Sequence, residues 1–396
     1  MTSLRLRGSI LKQPILSTIS NHRITYPSPA NLNTSWNFGS RSGACLALQI
    51  VTGICLAMHY TANVDLAFSS VQHIMRDVPN GWLLRYLHAN GASLFFIAVY
   101  IHLFRGRYYS SYCQPRELVW WIGVVILRLM ILTAFIGYVL PWGQMSLWGA
   151  TVITSLASAI PVVGTSIMTW RWGGFAVDNP TLNRFYSAHY LLPFLLAGLS
   201  IRHLAALHQY GSTNPLGVNS SVDTLDFYPY YTTKDWAGRL VFGIFAAFLV
   251  FFYPEALGHP DNNIPANPYA TPAHIVPEWY FLWVYAIRRS IPNKLAGVAA
   301  IGLVFLSLLA LPLIHKPSVR SPKFRLLSEV FFWTFAADVF LLTWIGQQPV
   351  EDPFVLVGQL ATVWFFFYLL IRLPFLAWLE SNWSKSVLVP AMPARS

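Results

Sequence analysis

The sequence predicts an all-α membrane protein of eight transmembrane helices, and three observations predict it. Of its 396 residues 55% are hydrophobic and only 10% charged, against about 25% charged in an ordinary soluble domain. It carries 16 Trp, 19 Tyr and 27 Phe, more aromatic surface than a water-soluble fold of this size could hide. Eight stretches reach the ~20 mostly apolar residues that a bilayer crossing needs. Soluble and disordered readings are excluded.

By length and hydropathy the spans, lettered A to H, run at about 38–60, 82–104, 117–140, 183–207, 236–254, 295–314, 327–346 and 354–378. The connections after C (144–172) and after E (255–294) are long, punctuated by Pro and Gly and still aromatic. They read as short surface helices lying on the membrane.

The net charge of +11 would suggest nucleic acid for a soluble protein. Here the bases sit at span ends, where lipid headgroups are the partner and nucleic acid is not. Arg5, Arg7, Lys12 and Arg23, then Arg105, Arg107 and Arg116, then Lys316, Arg320, Lys323 and Arg325 share one side if the spans alternate. The other side holds Asp65, Asp77, Glu255, Asp261, Glu351 and Asp352. The basic side, with the N-terminus, therefore faces the cytoplasm or matrix and is the negative side of the membrane. No cleaved signal peptide is expected, because no short apolar core with a small-residue cleavage site follows the basic start. Cys45, Cys55 and Cys113 form no Cys-x-x-Cys pair, which excludes covalent haem attachment, iron–sulfur ligation and a disulfide framework.

Span B contains His88 and His102, and span D contains His189 and His203, each pair 14 residues apart. Fourteen helical residues rise ~21 Å and fall only ~40° short of four turns, so each pair shares a face at two membrane depths. B and D run in the same direction, which sets His88 level with His189 and His102 level with His203. Two imidazoles facing each other at each depth are what a non-covalent haem needs as axial ligands. Four unrelated polar residues are the bland alternative; two equal spacings on parallel spans argue against it, because polar groups in lipid are costly. An intramembrane His relay in a transporter or proton channel is the rival from another class.

Spans A and C repeat the spacing: Gly39 and Gly53 are 14 apart, as are Gly123 and Gly137. Close helix packing alone uses such glycines. Beside the histidines they offer faces free of side chains to a flat macrocycle, and support a dihaem four-helix bundle of A to D with E to H added. The organisation expected is the bundle over 1–210 and a C-terminal membrane region over 211–396. Arg85 and Arg105, near the ends of B, can pair with haem propionates or reach ordinary headgroups.

Gly-Tyr-Val-Leu-Pro-Trp-Gly-Gln at 137–144, Trp-Gly-Ala-Thr-Val-Ile-Thr at 148–154, Gly-His-Pro-Asp-Asn at 258–262 and Pro-Glu-Trp-Tyr at 277–280 join the histidine pairs. Together they resemble the cytochrome b family, the dihaem subunit of respiratory quinol:cytochrome c reductase (complex III), with a plant or green-algal flavour in the segment after D. The resemblance runs from about residue 24 to about 365. It implies two b-type haems, a low-potential one on His88 and His189 and a high-potential one on His102 and His203. It implies ubiquinol oxidation at a positive-side pocket, quinone reduction at a negative-side pocket, and proton translocation in a Q cycle. A Rieske iron–sulfur protein, a cytochrome c type subunit and other complex III subunits are the implied partners. A homodimer and a place in the mitochondrial inner membrane are implied as well.

By the same resemblance Glu278 accepts a quinol proton, and Tyr285, Tyr280, Tyr138 and Gly149 shape its pocket. A carboxylate in a dry aromatic cleft has independent reason to hold a proton near neutral pH. His208, Ser212, Lys234 and Asp235 resemble the quinone-reducing site, although helix capping by Asp235 and an interface histidine would explain that pair more plainly. A dehydrogenase membrane anchor also uses bis-His haems but has no need of the Pro277–Tyr280 motif. The two-chain photosynthetic relative differs in His spacing and lacks span H.

Six arginines depart from the family pattern, which is aliphatic at Arg41, Arg107, Arg128, Arg171, Arg202 and Arg288. An arginine inside a span costs ~2.5–3.5 kcal/mol. Either acids, propionates or water pockets pair them, or an arginine codon is decoded or edited as leucine, which would lower the net charge from +11 by six.

Overall fold

The computed structural model describes residues 13–388; Arg5, Arg7 and Lys12, used above for orientation, lie outside the described residues. Eight helices are long and apolar enough to cross a membrane: A Thr34–Ala57, B Gly81–Tyr108, C Glu117–Val139, D Asn179–Tyr210, E Phe227–Phe252, F Lys294–Ile314, G Leu326–Gln347 and H Phe354–Asn382. Each matches an expected span to within a few residues, except that D and E begin earlier and B and H end later. Those extensions carry polar residues through the headgroup zone: Asn179 and Asp178 start D, where the Asp178 side chain and Thr181 form a reciprocal cap.

A packs on B, C on D, and the pairs meet through A on D. F lies against C, and G packs on H. The connection after C folds into helices Gln144–Ser155 and Gly164–Trp172, as expected of it. The connection after E is less helical than expected: only the short turns Pro260–Asn263 and Trp279–Phe281 and the helix Leu282–Arg289 are regular, because five prolines between 260 and 277 remove the donors a helix needs. Two short helices, Pro14–Arg23 and Ala67–Arg76, were not anticipated; their stretches are too polar for a hydropathy criterion to find. Residues Pro27–Pro29 pair antiparallel with Thr224–Asp226, tying the N-terminal segment to the connection between D and E.

One apolar core runs through both halves of the chain. It joins Leu46 of A, Phe96 of B, Leu127 of C and Leu196 of D to Trp283, Val304 of F, Phe335 of G and Phe365 of H. The division at 210 is thus a division of the sequence and not of the packing. A second cluster under the Gln144–Ser155 helix contains Trp142, Leu147, Trp172 and Phe185.

Candidate functional site: two facing imidazole pairs and an adjoining acidic pocket

His88 faces His189 with ring centres 6.2 Å apart and planes at 85°, and His102 faces His203 at 6.4 Å and 68°. A metal–nitrogen bond of about 2 Å on each side plus about 1 Å from each nitrogen to its ring centre gives about 6 Å. Both gaps therefore suit one metal ion held between two imidazoles. Among the described residues no group of three or more His, Cys, Asp or Glu could hold a metal, so a metal at either gap would have two protein ligands, and a haem would supply the others.

Neighbouring groups set the rings. His189 Nδ1 lies 2.9 Å from the Thr133 carbonyl and must donate to it, which leaves Nε2 with its lone pair free for a metal. Thr52 Oγ1 lies 2.9 Å from His88 Nδ1. Arg105 donates to His102 Nδ1 at 3.1 Å, a contact that has to give way for His102 to present its Nε2 lone pair to a metal; among the described residues its buried Nε has no partner, a cation with spare donors beside the gap.

The glycines serve the imidazoles more directly than the macrocycle argument anticipated. A Cβ at Gly53 would lie 3.0 Å from His88 Cε1, one at Gly39 3.2 Å from His102 Cε1, and one at Gly123 3.2 Å from His203 Cε1. A Cβ at Gly137 would overlap the His189 ring outright. Each of the four glycines thus stands in front of one of the four rings, and a side chain there would push the imidazole off its axis. These rings, glycines and spare donors fit a haem at each level.

The His88/His189 gap opens into a cavity of about 450 Å³ that Arg85, Tyr138, Glu255, Glu278 and Tyr280 also line. Burial pushes the Glu278 carboxyl up to about 7, with the Tyr138 hydroxyl and the Arg85 guanidinium pulling the other way. The Pro277–Tyr280 segment is pinned to span B. Trp279 Nε1 donates to Ser93 Oγ at 3.0 Å, Tyr100 Oη donates to the Tyr280 carbonyl at 2.6 Å, and Trp283 Nε1 donates to Tyr100 Oη at 3.1 Å. Tyr280 stacks on Phe96 with centres 4.1 Å apart and planes at 4°.

Two further motifs latch onto each other. Asn262 Oδ1 accepts from Ser146 N at 2.9 Å and Ser146 Oγ at 3.0 Å, Gln144 N donates to Ile264 O at 2.9 Å, and Ala266 N donates to Trp142 O at 3.0 Å. Gly143 is required there, because a Cβ would collide with the Asn262 backbone. Tyr285 and Gly149 are not brought to the cavity. Tyr285 lies under Arg289, 5.6 Å from guanidinium to ring centre, and nothing approaches within 4 Å of a Cβ placed on Gly149.

At the other end of the bundle the N-terminal segment supplies partners that the sequence reading missed. His208 meets His22 and Tyr26. Lys234 Nζ donates to the Leu32 carbonyl, and Asn37 Nδ2 donates to the Lys234 carbonyl at 2.9 Å. Asp235 lies among Ser40, Arg41 and Arg239. Ser212 is half-buried nearby in sequence.

None of the six unexpected arginines forms an ion pair; among the described residues the ion pairs are His73–Asp77 and Arg325–Glu380. Arg107 donates to the Tyr368 hydroxyl, and Arg41 lies over Phe38 at 4.3 Å from the ring centre. Arg171 and Arg288 are half-buried, and Arg128 and Arg202 are exposed on spans C and D.

Eight membrane helices with two facing imidazole pairs stacked along one bundle define a polytopic membrane protein suited to paired planar cofactors. The family model described as cytochrome b/b6/petB matches residues 23–211, and the one described as cytochrome b (C-terminal)/b6/petD matches 265–366. Among curated relatives, cytochrome b of Marchantia polymorpha is 68% identical over 380 residues, covering 96% of this chain and 94% of the relative. Cytochrome b of Triticum aestivum is 66% identical over 371 residues, covering 94% and 93%. A solved structure titled "Hyperthermophilic respiratory Complex III" superposes with a TM-score of 0.89 at 35% identity, covering 94% of this chain and 99% of that one. The chain belongs to the cytochrome b/b6 family, a family of b-type haem proteins, and its kinship is with the cytochrome b of respiratory complex III.

Proposed function

We propose that this chain is the quinol-oxidising, transmembrane electron-carrying subunit of a ubiquinol:cytochrome c reductase. It would be seated with a Rieske iron–sulfur protein, a cytochrome c type subunit and a second copy of itself in the mitochondrial inner membrane, the N-terminus on the matrix side. The observation that carries this reading is the continuity of the His88/His189 gap with the cavity that contains Glu278. His88 with His189, and His102 with His203, would hold the two haems; when bound, these supply reversible one-electron transfer between the two ends of the bundle.

The chain's own residues do the rest. Gly53, Gly137, Gly39 and Gly123 keep the four rings on axis. Arg105, whose Nε is unpartnered among the described residues, and Arg85 would pair with haem propionates. Tyr280, clamped between Phe96 and the Tyr100 hydroxyl, fixes the backbone beside Glu278. Glu278, whose carboxyl titrates at about 7, takes a proton from the bound quinol hydroxyl as the quinol is oxidised, and passes it toward the positive side. His208, Lys234 and Asp235 bind and protonate quinone at the opposite end.

The test is Glu278→Gln in the assembled complex. Quinol oxidation should fall about 100-fold, the range for removing a positioned base, with both haems retained. Unchanged turnover would remove Glu278 from the reaction.

A further inference from the structure

We propose that His22 is the proton-uptake residue of the quinone-reducing end, delivering protons to quinone through His208; this rests on the reading of that end as the quinone-reducing site. His22 sits in the last turn of the helix Pro14–Arg23 and is exposed, whereas His208, near the end of span D, is half-buried.

Their Nδ1 atoms are 2.8 Å apart. The ring centres are 4.8 Å apart with planes 8° from parallel. The 4.8 Å is close to the 2.8 Å contact plus about 1 Å from each nitrogen to its ring centre, so the rings lie edge to edge and not face to face. That is the geometry of an N–H···N hydrogen bond, in which one imidazole donates and the other accepts. Two imidazolium charges at this separation repel, so the pair holds one excess proton at a time.

The surroundings favour transfer along one line. Tyr26 covers the His208 ring at 4.2 Å between centres. Arg116, next to Tyr26, is held by the Gly211 and Tyr210 carbonyls at 2.8 and 2.9 Å. Arg23 follows His22 on its own helix, and among the described residues no carboxylate is in hydrogen-bond contact with either ring. With Nδ1 engaged by His22, Nε2 is the nitrogen of His208 left for a quinone oxygen. A proton taken from water by His22 passes to His208 Nδ1 as His208 releases its Nε2 proton to the reduced quinone. The pair returns to its starting charge, and the electrons come from the haem side.

The experiment uses the assembled complex with the positive-side site blocked. It follows optically the reduction of the haem at the His102/His203 level by added quinol, the reverse of quinone reduction, in which the same relay carries the proton outward, across about pH 5.5–8.5. His22→Gln should slow this reaction about tenfold, short of the effect of removing a base that touches substrate, and should flatten its pH dependence. His22→Ala should be slowed likewise and recover when free imidazole is added, a response that a merely structural role would not give. His208→Gln is the control. If His208→Gln slows the reaction but both His22 variants match the wild type, the relay is wrong and the site reading stands. If His208→Gln also changes nothing, the site reading itself fails. Slowing of His22→Ala without imidazole rescue would likewise overturn the relay.

Discussion

At the residue scale, the four histidines were legible because helical geometry converts a spacing of 14 into a shared face, a rule that needs no knowledge of tertiary structure. The glycines were legible in number but not in purpose, since only coordinates show that each fronts an imidazole. Gly137→Val should cost one haem per chain, read by pyridine haemochrome quantitation, because its side chain would occupy the His189 ring; two haems retained would contradict that role. Glu278 was legible through its motif and its aromatic company. With its carboxyl at about 7, the fraction able to accept a proton grows as pH rises through 7. Quinol oxidation should therefore accelerate across that range and lose the inflection in Glu278→Gln. An identical pH profile in the variant would assign the inflection elsewhere.

The six arginines belong to this scale too. Arg128 is the central residue of span C, about 16 Å from either end, is exposed, and forms no ion pair among the described residues. Among the described residues, no ion pair offsets its cost. Decoding as leucine predicts leucine at positions 128 and 202 in peptides from the purified subunit, read by mass spectrometry. Arginine masses there would contradict it and leave acids of other subunits or water pockets to offset the charge.

At the element scale, the spans were legible because lipid imposes a length on every crossing. The family-like motifs were legible as strings, but their physical reason was not. The 137–144 and 258–266 segments latch to each other from positions more than 110 residues apart, and no local rule reveals such a partner. The same holds for Tyr100, which binds the Tyr280 carbonyl and receives the Trp283 indole. Tyr100→Phe removes one buried donor and one acceptor, a loss of about 1–3 kcal/mol. It should lower quinol oxidation while leaving the haem spectrum unchanged; unaltered turnover would show that the Pro277–Tyr280 segment needs no such pin. The N-terminal helix escaped notice because its stretch is short and polar, yet it brings His22 to His208.

At the scale of the whole molecule, a single apolar core spans both halves of the chain, and the cavity beside Glu278 is lined by both, so Glu278 of the second half is held in register with the histidines of the first. Under the proposed function, that linkage would let one chain couple proton chemistry at one face to electron delivery at the other. The account depends on both imidazole pairs holding a haem. The most direct measurement is haem stoichiometry in the purified complex, wild type against His88→Leu and His203→Leu. Two b-type haems per chain, with a different one lost in each variant, is the predicted result. Fewer than two in the wild type, or variants that keep both, would contradict it.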